Sequence, residues 1–168
     1  MSDESHLLAC IPRLRRYARA LVGDRAGADD LVQDTMERAW QKLSGWNNSR
    51  GADMRPWLFS IMHNLHVDQR RKPVIPTVGL DDEDALATPA YAPDRLVAYD
   101  LESALRLLVA EQREILLLVV LEEMTYEEVA TTLNLPIGTV MSRLSRARER
   151  LRALVEGRPR HSPLKVVK

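Results

Sequence analysis

The stretch PIGTVMSRLSRARERLR, Pro136 to Arg152, carries five arginines and a single acid, Glu149. Guanidinium groups at this density can do two kinds of work: they can bond the bases and phosphates of a nucleic acid, or pair with an acidic protein partner. Side-chain directions follow from about 100° per residue on a helix. Val140, Leu144, Ala147 and Leu151 then share one side and face the interior. Gly138, Ser142, Ser145, Arg146 and Glu149 lie opposite, with Met141 nearer the edge. Arg143 and Arg150 run along one margin, and Arg148 along the other. Small central residues let a helix approach the floor of a DNA groove; a central arginine can make bidentate bonds to a guanine edge, and marginal arginines can reach phosphates. A merely solvated face more often alternates Glu with Lys or Arg four residues apart. The pattern favours DNA, with an acidic protein surface as the alternative.

Other chemistry is poorly supported. No nucleophile is placed beside a base, and there is no glycine-rich phosphate loop, so no catalytic activity and no cofactor are expected. His63 and His66 are three apart, but no cysteine or carboxylate cluster completes a metal site. Cys10 is the only cysteine, which rules out an internal disulfide and fits a reducing cytosol. The acidic start MSDESHLLAC lacks a basic leader, and the longest apolar run, Ile115 to Leu121, is far short of the roughly 20 residues a spanning helix needs. A cytoplasmic protein without membrane insertion is expected.

The formal net charge is zero, but it is unevenly distributed. Residues 1–72 hold 12 basic and 9 acidic side chains, residues 73–136 hold 3 and 13, and residues 137–168 hold 9 and 2. Two basic blocks therefore flank an acidic middle, an asymmetry more informative than the sum.

The elements that must position these residues are helical. Aromatic and β-branched residues are sparse, and apolar side chains recur at helical spacing. One helix is expected from His6 to Val22, ended by Gly23 and Asp24. In a second, Ala28, Leu31, Val32, Thr35, Ala39 and Leu43 point inward, leaving Asp30, Gln33, Asp34, Glu37, Arg38 and Gln41 outside. Trp40 follows the apolar stripe and is expected in the core. Ser44 to Asp53 reads as a loop. Pro56 suits the first turn of a third helix, with Leu58, Ile61, Met62 and Leu65 inside. Its last turn carries Arg70, Arg71 and Lys72, which also suit the negative end of the helix dipole.

Pro73 to Asp94 has four prolines, the acidic run Asp81 to Asp84 and no period, so it reads as a flexible acidic linker between two domains. Leu96 to Val109 and Glu111 to Leu121 follow as helices. Thr125-Tyr126-Glu127-Glu128 is a capping box opening a short helix to Leu133, joined through Asn134 and Leu135 to the arginine-bearing helix. Two helices this tightly joined, the second basic, suggest a helix-turn-helix. The fold class is thus all-α, with two small helical domains.

Three segments, DDLVQDTMERAW, RPWLFSIMHNLHVDQRRK and EEMTYEEVATTLNLPIGTVMSRLSRARERL, occur in this order around the acidic linker. In this the chain resembles bacterial RNA polymerase sigma factors of the extracytoplasmic-function (ECF) type, within the sigma-70 family, over about residues 6–72 and 96–154. The resemblance implies a region 2 domain (1–72), a linker (73–94), a region 4 domain (95–156) and a basic tail (157–168). It implies core RNA polymerase and promoter DNA as partners, the polymerase being held through the clamp helices of its largest subunit and the flap of its second-largest. Asp30, Gln33, Asp34 and Arg38 would meet the clamp. The −10 promoter element would be opened and read by Ser60, His63, Asn64 and Asp68, with Arg70 and Arg71 near the backbone. Trp57 lies between two roles, core and base stacking. The −35 contacts would fall on Met141, Ser142, Ser145 and Arg146, flanked by Arg143 and Arg150. Relatives commonly carry Lys or Arg at the position of Met141, which could instead touch a thymine methyl. The resemblance further implies control by an anti-sigma factor. The acidic linker would be either an RNA mimic in the polymerase channel or a solvating tether. Two other readings remain open: a free-standing helix-turn-helix regulator, and a sigma-like protein that sequesters sigma regulators.

Overall fold

The computed structural model describes residues 2–46, 52–72 and 93–156, all helices and connections with no strand among them. The helices are α1 (Asp3–Ala9), α2 (Ile11–Val22), α3 (Arg25–Lys42), α4 (Arg55–Arg71), α5 (Pro93–Leu107), α6 (Ala110–Val120), α7 (Tyr126–Leu133) and α8 (Ile137–Glu156), with a 3-10 turn at Leu43–Gly45 after α3.

The helix expected from His6 to Val22 is two helices, broken at Cys10. Pro12 is the cause: it has no N–H for the carbonyl of Leu8, and its ring disfavours helical continuation through the preceding turn. Pro12 instead opens α2, where a missing donor costs nothing. At the far end of α2, Gly23 takes the left-handed conformation (φ 84°) and its N–H bonds to the carbonyl of Arg19. Asp24 then caps α3, accepting from the Gly27 N–H at 2.6 Å.

Leu14, Tyr17, Ala18 and Leu21 of α2 pack with Leu31, Val32 and Ala39 of α3 and with Leu58, Phe59 and Met62 of α4, all buried. Full burial of each large side chain contributes roughly 1.5–3 kcal/mol. The buried Thr35 hydroxyl donates to the Leu31 carbonyl, which satisfies it inside α3. Trp40 departs from expectation. Its ring is 53% exposed. It stands about 20° from Gln33 around the helix, off the core stripe, which runs through Ala39 to the half-buried Leu43.

In the C-terminal half, α5, α6 and α7 pack around α8. Thr125 and Glu128 form the capping box in both directions. Asn134 ends α7 in the left-handed region (φ 53°), and the Leu135 N–H returns to the Ala130 carbonyl at 2.9 Å. This turn lets α8 leave sharply from α7.

The two halves touch. α2 packs on α6 and α4 on α7, and the buried residues of both halves form one continuous cluster. The linker expected between them, apart from its last two residues, and the basic tail lie outside the described residues; Pro93 and Asp94 already belong to α5.

Candidate nucleic-acid interface

Val140, Leu144 and Ala147 anchor α8 in the core and Leu151 is half-buried, as their angles require. This fixes what points away. Ser142, Ser145, Arg146, Arg148 and Arg150 are exposed, and Met141 is 48% exposed. A Cβ on Gly138 would meet nothing within 4 Å, so the start of the helix is open to close approach. The Ser142 hydroxyl donates back to the Gly138 carbonyl at 3.0 Å, leaving its oxygen lone pairs outward. Tyr126, Met141, Ser145, Arg148 and Arg152 line a shallow hollow between α7 and α8.

Arg143 is set apart from this surface. It is half-buried and turns into a cleft of about 260 Å³ between the halves, lined also by His63, Val67, Arg70 and Arg71 of α4 and by Glu111 and Glu114 of α6.

α4 presents its candidate residues unequally. Asn64, Asp68 and Arg71 are exposed, while Ser60 is half-buried with its hydroxyl donating to the Trp57 carbonyl at 2.7 Å. His63 Nδ1 lies 2.5 Å from the Glu114 carboxylate, and Arg70 lies 3.3 Å from Glu111. The Glu114 side chain is only 4% exposed. Glu111 is held below the usual carboxylate range, chiefly by its own backbone N–H at the start of α6 and then by Arg70, against the opposing effect of burial. Trp57 is half-buried and packs on Trp46 with ring centroids 6.1 Å apart, which places it at the margin of the core. Burial lowers the His66 pKa, which favours the neutral ring. Among the described residues no group of three or more His, Cys, Asp or Glu could hold a metal ion.

On α3, Asp30, Gln33, Asp34 and Arg38 are all exposed along one side, and Gln69 of α4 reaches Asp34 at 3.4 Å.

A second set of polar contacts binds the halves together at the other end of their interface. Arg113 of α6 donates to the carbonyls of Leu105, Arg106 and Leu108 in its own half and to Leu21 at the end of α2. Arg106 donates to Gly23 at 3.0 Å. Two cations thus cap the negative end of α2 from the opposite half. Arg16 reaches the Leu121 carbonyl and the Glu122 carboxylate, Arg13 approaches Glu122 at 3.8 Å, and Arg55 donates to the Glu122 carbonyl. The Glu122 side chain is fully buried, and this burial raises its pKa against the pull of the arginines. These contacts escaped sequence reasoning because partners such as Arg16 and Glu122 are 106 positions apart. For the cleft beside α4 one signal was available: Glu111 and Glu114, two carboxylates three apart on a largely apolar helix.

Residues 7–63 match a family model described as the Sigma2 domain of PhyR, and residues 99–151 match Sigma-70, region 4. The chain is 34% identical over 152 residues to the ECF RNA polymerase sigma factor EcfG of Rhodopseudomonas palustris, covering 89% of this chain and 82% of that one. It is 36% identical over 153 residues to the ECF RNA polymerase sigma factor SigL of Mycobacterium tuberculosis, covering 85% and 82%. Among solved structures it resembles the sigma factor RpoE in complex with the anti-sigma factor NepR from Bartonella quintana (TM-score 0.71, 32% identity, 93% of this chain and 98% of that one). It also resembles CnrH in complex with the cytosolic domain of CnrY (TM-score 0.68, 26% identity, 94% and 89%).

Proposed function

Because the chain belongs to the ECF family of RNA polymerase sigma factors, we propose that it is the specificity subunit that brings core polymerase to a subset of promoters. The observation that carries this reading is the outer face of α8, where Ser142, Ser145 and Arg146 stand exposed behind an open Gly138 while Val140, Leu144 and Ala147 lock the helix from within. Such a face suits the floor of a major groove, with Arg146 reading a guanine edge and Arg148 and Arg150 reaching phosphates. Met141, unable to bond a base acceptor, reads a thymine methyl. Arg143 joins them once it leaves the cleft.

In the N-terminal half, Asn64, Ser60 and Asp68 read an unstacked base of the −10 element while His63, Arg70 and Arg71 hold the strand. Trp57 supports this surface from the core margin. The exposed carboxylates Asp30 and Asp34, with Gln33 and Arg38, meet basic groups of the polymerase clamp, and the C-terminal half meets the flap. The domains are 1–72 and 95–156. The protein catalyses no reaction of its own and works in the cytoplasm. An anti-sigma factor restrains it, a reading supported by the anti-sigma partners of the RpoE and CnrH structures.

Transcription in vitro tests this directly. Core polymerase plus this protein is expected to give discrete start sites on genomic templates, and neither component alone gives them. Tight binding to a duplex operator without polymerase would instead establish a free-standing regulator.

A second reading has one observation in its favour. The model matching residues 7–63 is that of PhyR, and PhyR in complex with NepR is described as an anti-anti-sigma factor. A sigma-like decoy would bind an anti-sigma factor and start no transcription. The 34% identity to EcfG across both halves favours the sigma factor.

A further inference from the structure

The cleft between the halves gathers arginines and a histidine from both DNA-reading elements. His63, Arg70 and Arg71 come from α4, and Arg143 comes from α8. Facing them are Glu111 and Glu114, one turn apart on α6, with Glu114 against His63 and Glu111 against Arg70. Resting on the promoter-reading surfaces proposed above, we propose that these two carboxylates are intramolecular stand-ins for promoter phosphates, so that contact between the halves and engagement of promoter DNA exclude one another.

The chemistry is that of charge and room. A phosphate oxygen and a carboxylate oxygen accept the same bonds from guanidinium groups and from an imidazole N–H. Glu114 is buried in the contact, so a DNA strand reaching His63 must displace it. A strand that came beside the carboxylates instead would meet like charge in a partly desolvated cleft, where screening by salt is weak. The half of α4 carrying Asn64 and Asp68 stays exposed. α6 thus engages His63 and Arg70 on the strand-holding side of the surface and leaves the base-reading side open.

Scale makes the same demand. Elements about 25 base pairs apart span about 80 Å of duplex at about 3.4 Å per pair, whereas a compact chain of 168 residues has a radius of gyration of about 15 Å. The halves must part for both elements to be read.

The test uses the full chain and a short fluorescent single strand of mixed sequence, since the claim concerns phosphates rather than bases. Glu111→Gln with Glu114→Gln is expected to bind the strand about tenfold more tightly than the unaltered protein, the negative charge of both competing side chains having been removed. Small-angle scattering is expected to show the radius of gyration rising on addition of the strand. Should the double variant fold poorly, the half-exposed Glu111→Gln alone carries the test, with about a threefold gain. Arg71→Ala separates the two levels of the argument, because Arg71 makes no ion pair with α6 among the described residues. Equal binding by the Gln variant and the unaltered protein, with Arg71→Ala still weakening the complex, overturns the stand-in role and leaves the −10 surface intact. No effect of Arg71→Ala overturns the −10 surface and the stand-in role together.

Discussion

Glu122 is a fully buried carboxylate on the contact between the halves, approached by Arg13 and Arg16 at 3.8 and 3.5 Å. Its folded pKa lies above its ordinary value because burial outweighs the arginines. The folded protein therefore holds this proton to higher pH than the unfolded chain, and the stability Glu122 contributes is complete below its ordinary pKa and lost as pH rises through the raised value. Glu122→Gln, which cannot ionise, is expected to flatten the fall in melting temperature across that window, as thermal denaturation at stepped pH would show. His66 acts oppositely. Its pKa is lowered by burial, so acidification from its ordinary value down to the lowered one protonates the unfolded chain in preference to the folded ring and destabilises the N-terminal half. At Met141 the expected outcome is a change of sequence preference rather than of fold: Met141→Arg should shift the −35 bases enriched from a randomised promoter library, and replacing thymine by uracil should weaken the unaltered protein.

Helix ends carry much of what makes the second half a reading device. Thr125→Ala removes one arm of the capping box and is expected to cost about 1 kcal/mol, measurable by denaturant unfolding. Two residues upstream, Glu123 holds a positive φ of 54°, a conformation glycine adopts freely. Glu123→Gly is expected to gain roughly 0.5 kcal/mol after the added freedom of the unfolded chain is subtracted. Capping and turn chemistry of this kind is written locally, which is why the capping box, the stop at Gly23 and the inward faces of α3, α4 and α8 were legible in the sequence. The misreadings arose where local pattern competes with geometry. The apolar spacing across Cys10 was continuous while Pro12 silently broke the helix, and Trp40, though apolar, lies to one side of the stripe that continues from Ala39 to Leu43. On the candidate surfaces, the exposure of Ser142, Ser145 and Arg146 followed from angle alone. The turning of Arg143 and His63 toward α6 did not, because it depends on how two distant segments meet.

At the scale of the whole chain, a formal net charge of zero is the sum of opposed blocks, and parts of two of them, α6 and α4, meet in the fold. Acidic α6 lies against basic α4, and the end of α2 is capped by Arg106 and Arg113. Arg113→Ala removes four bonds to carbonyls spread over both halves, so it is expected to lower the melting temperature and to raise the radius of gyration in the absence of DNA. A rise in neither quantity's departure from the unaltered protein, read by calorimetry and small-angle scattering, would count against this cap as a tie between halves. The uncovered ring of Trp40 has a use of a different order. The protein has three tryptophans, two stacked near one another at the core margin and one open to solvent beside Gln33. Labelled with fluorine, they should give one resonance more sensitive to solvent than the other two, and it is a built-in probe of whether the α3 face becomes covered when polymerase is added.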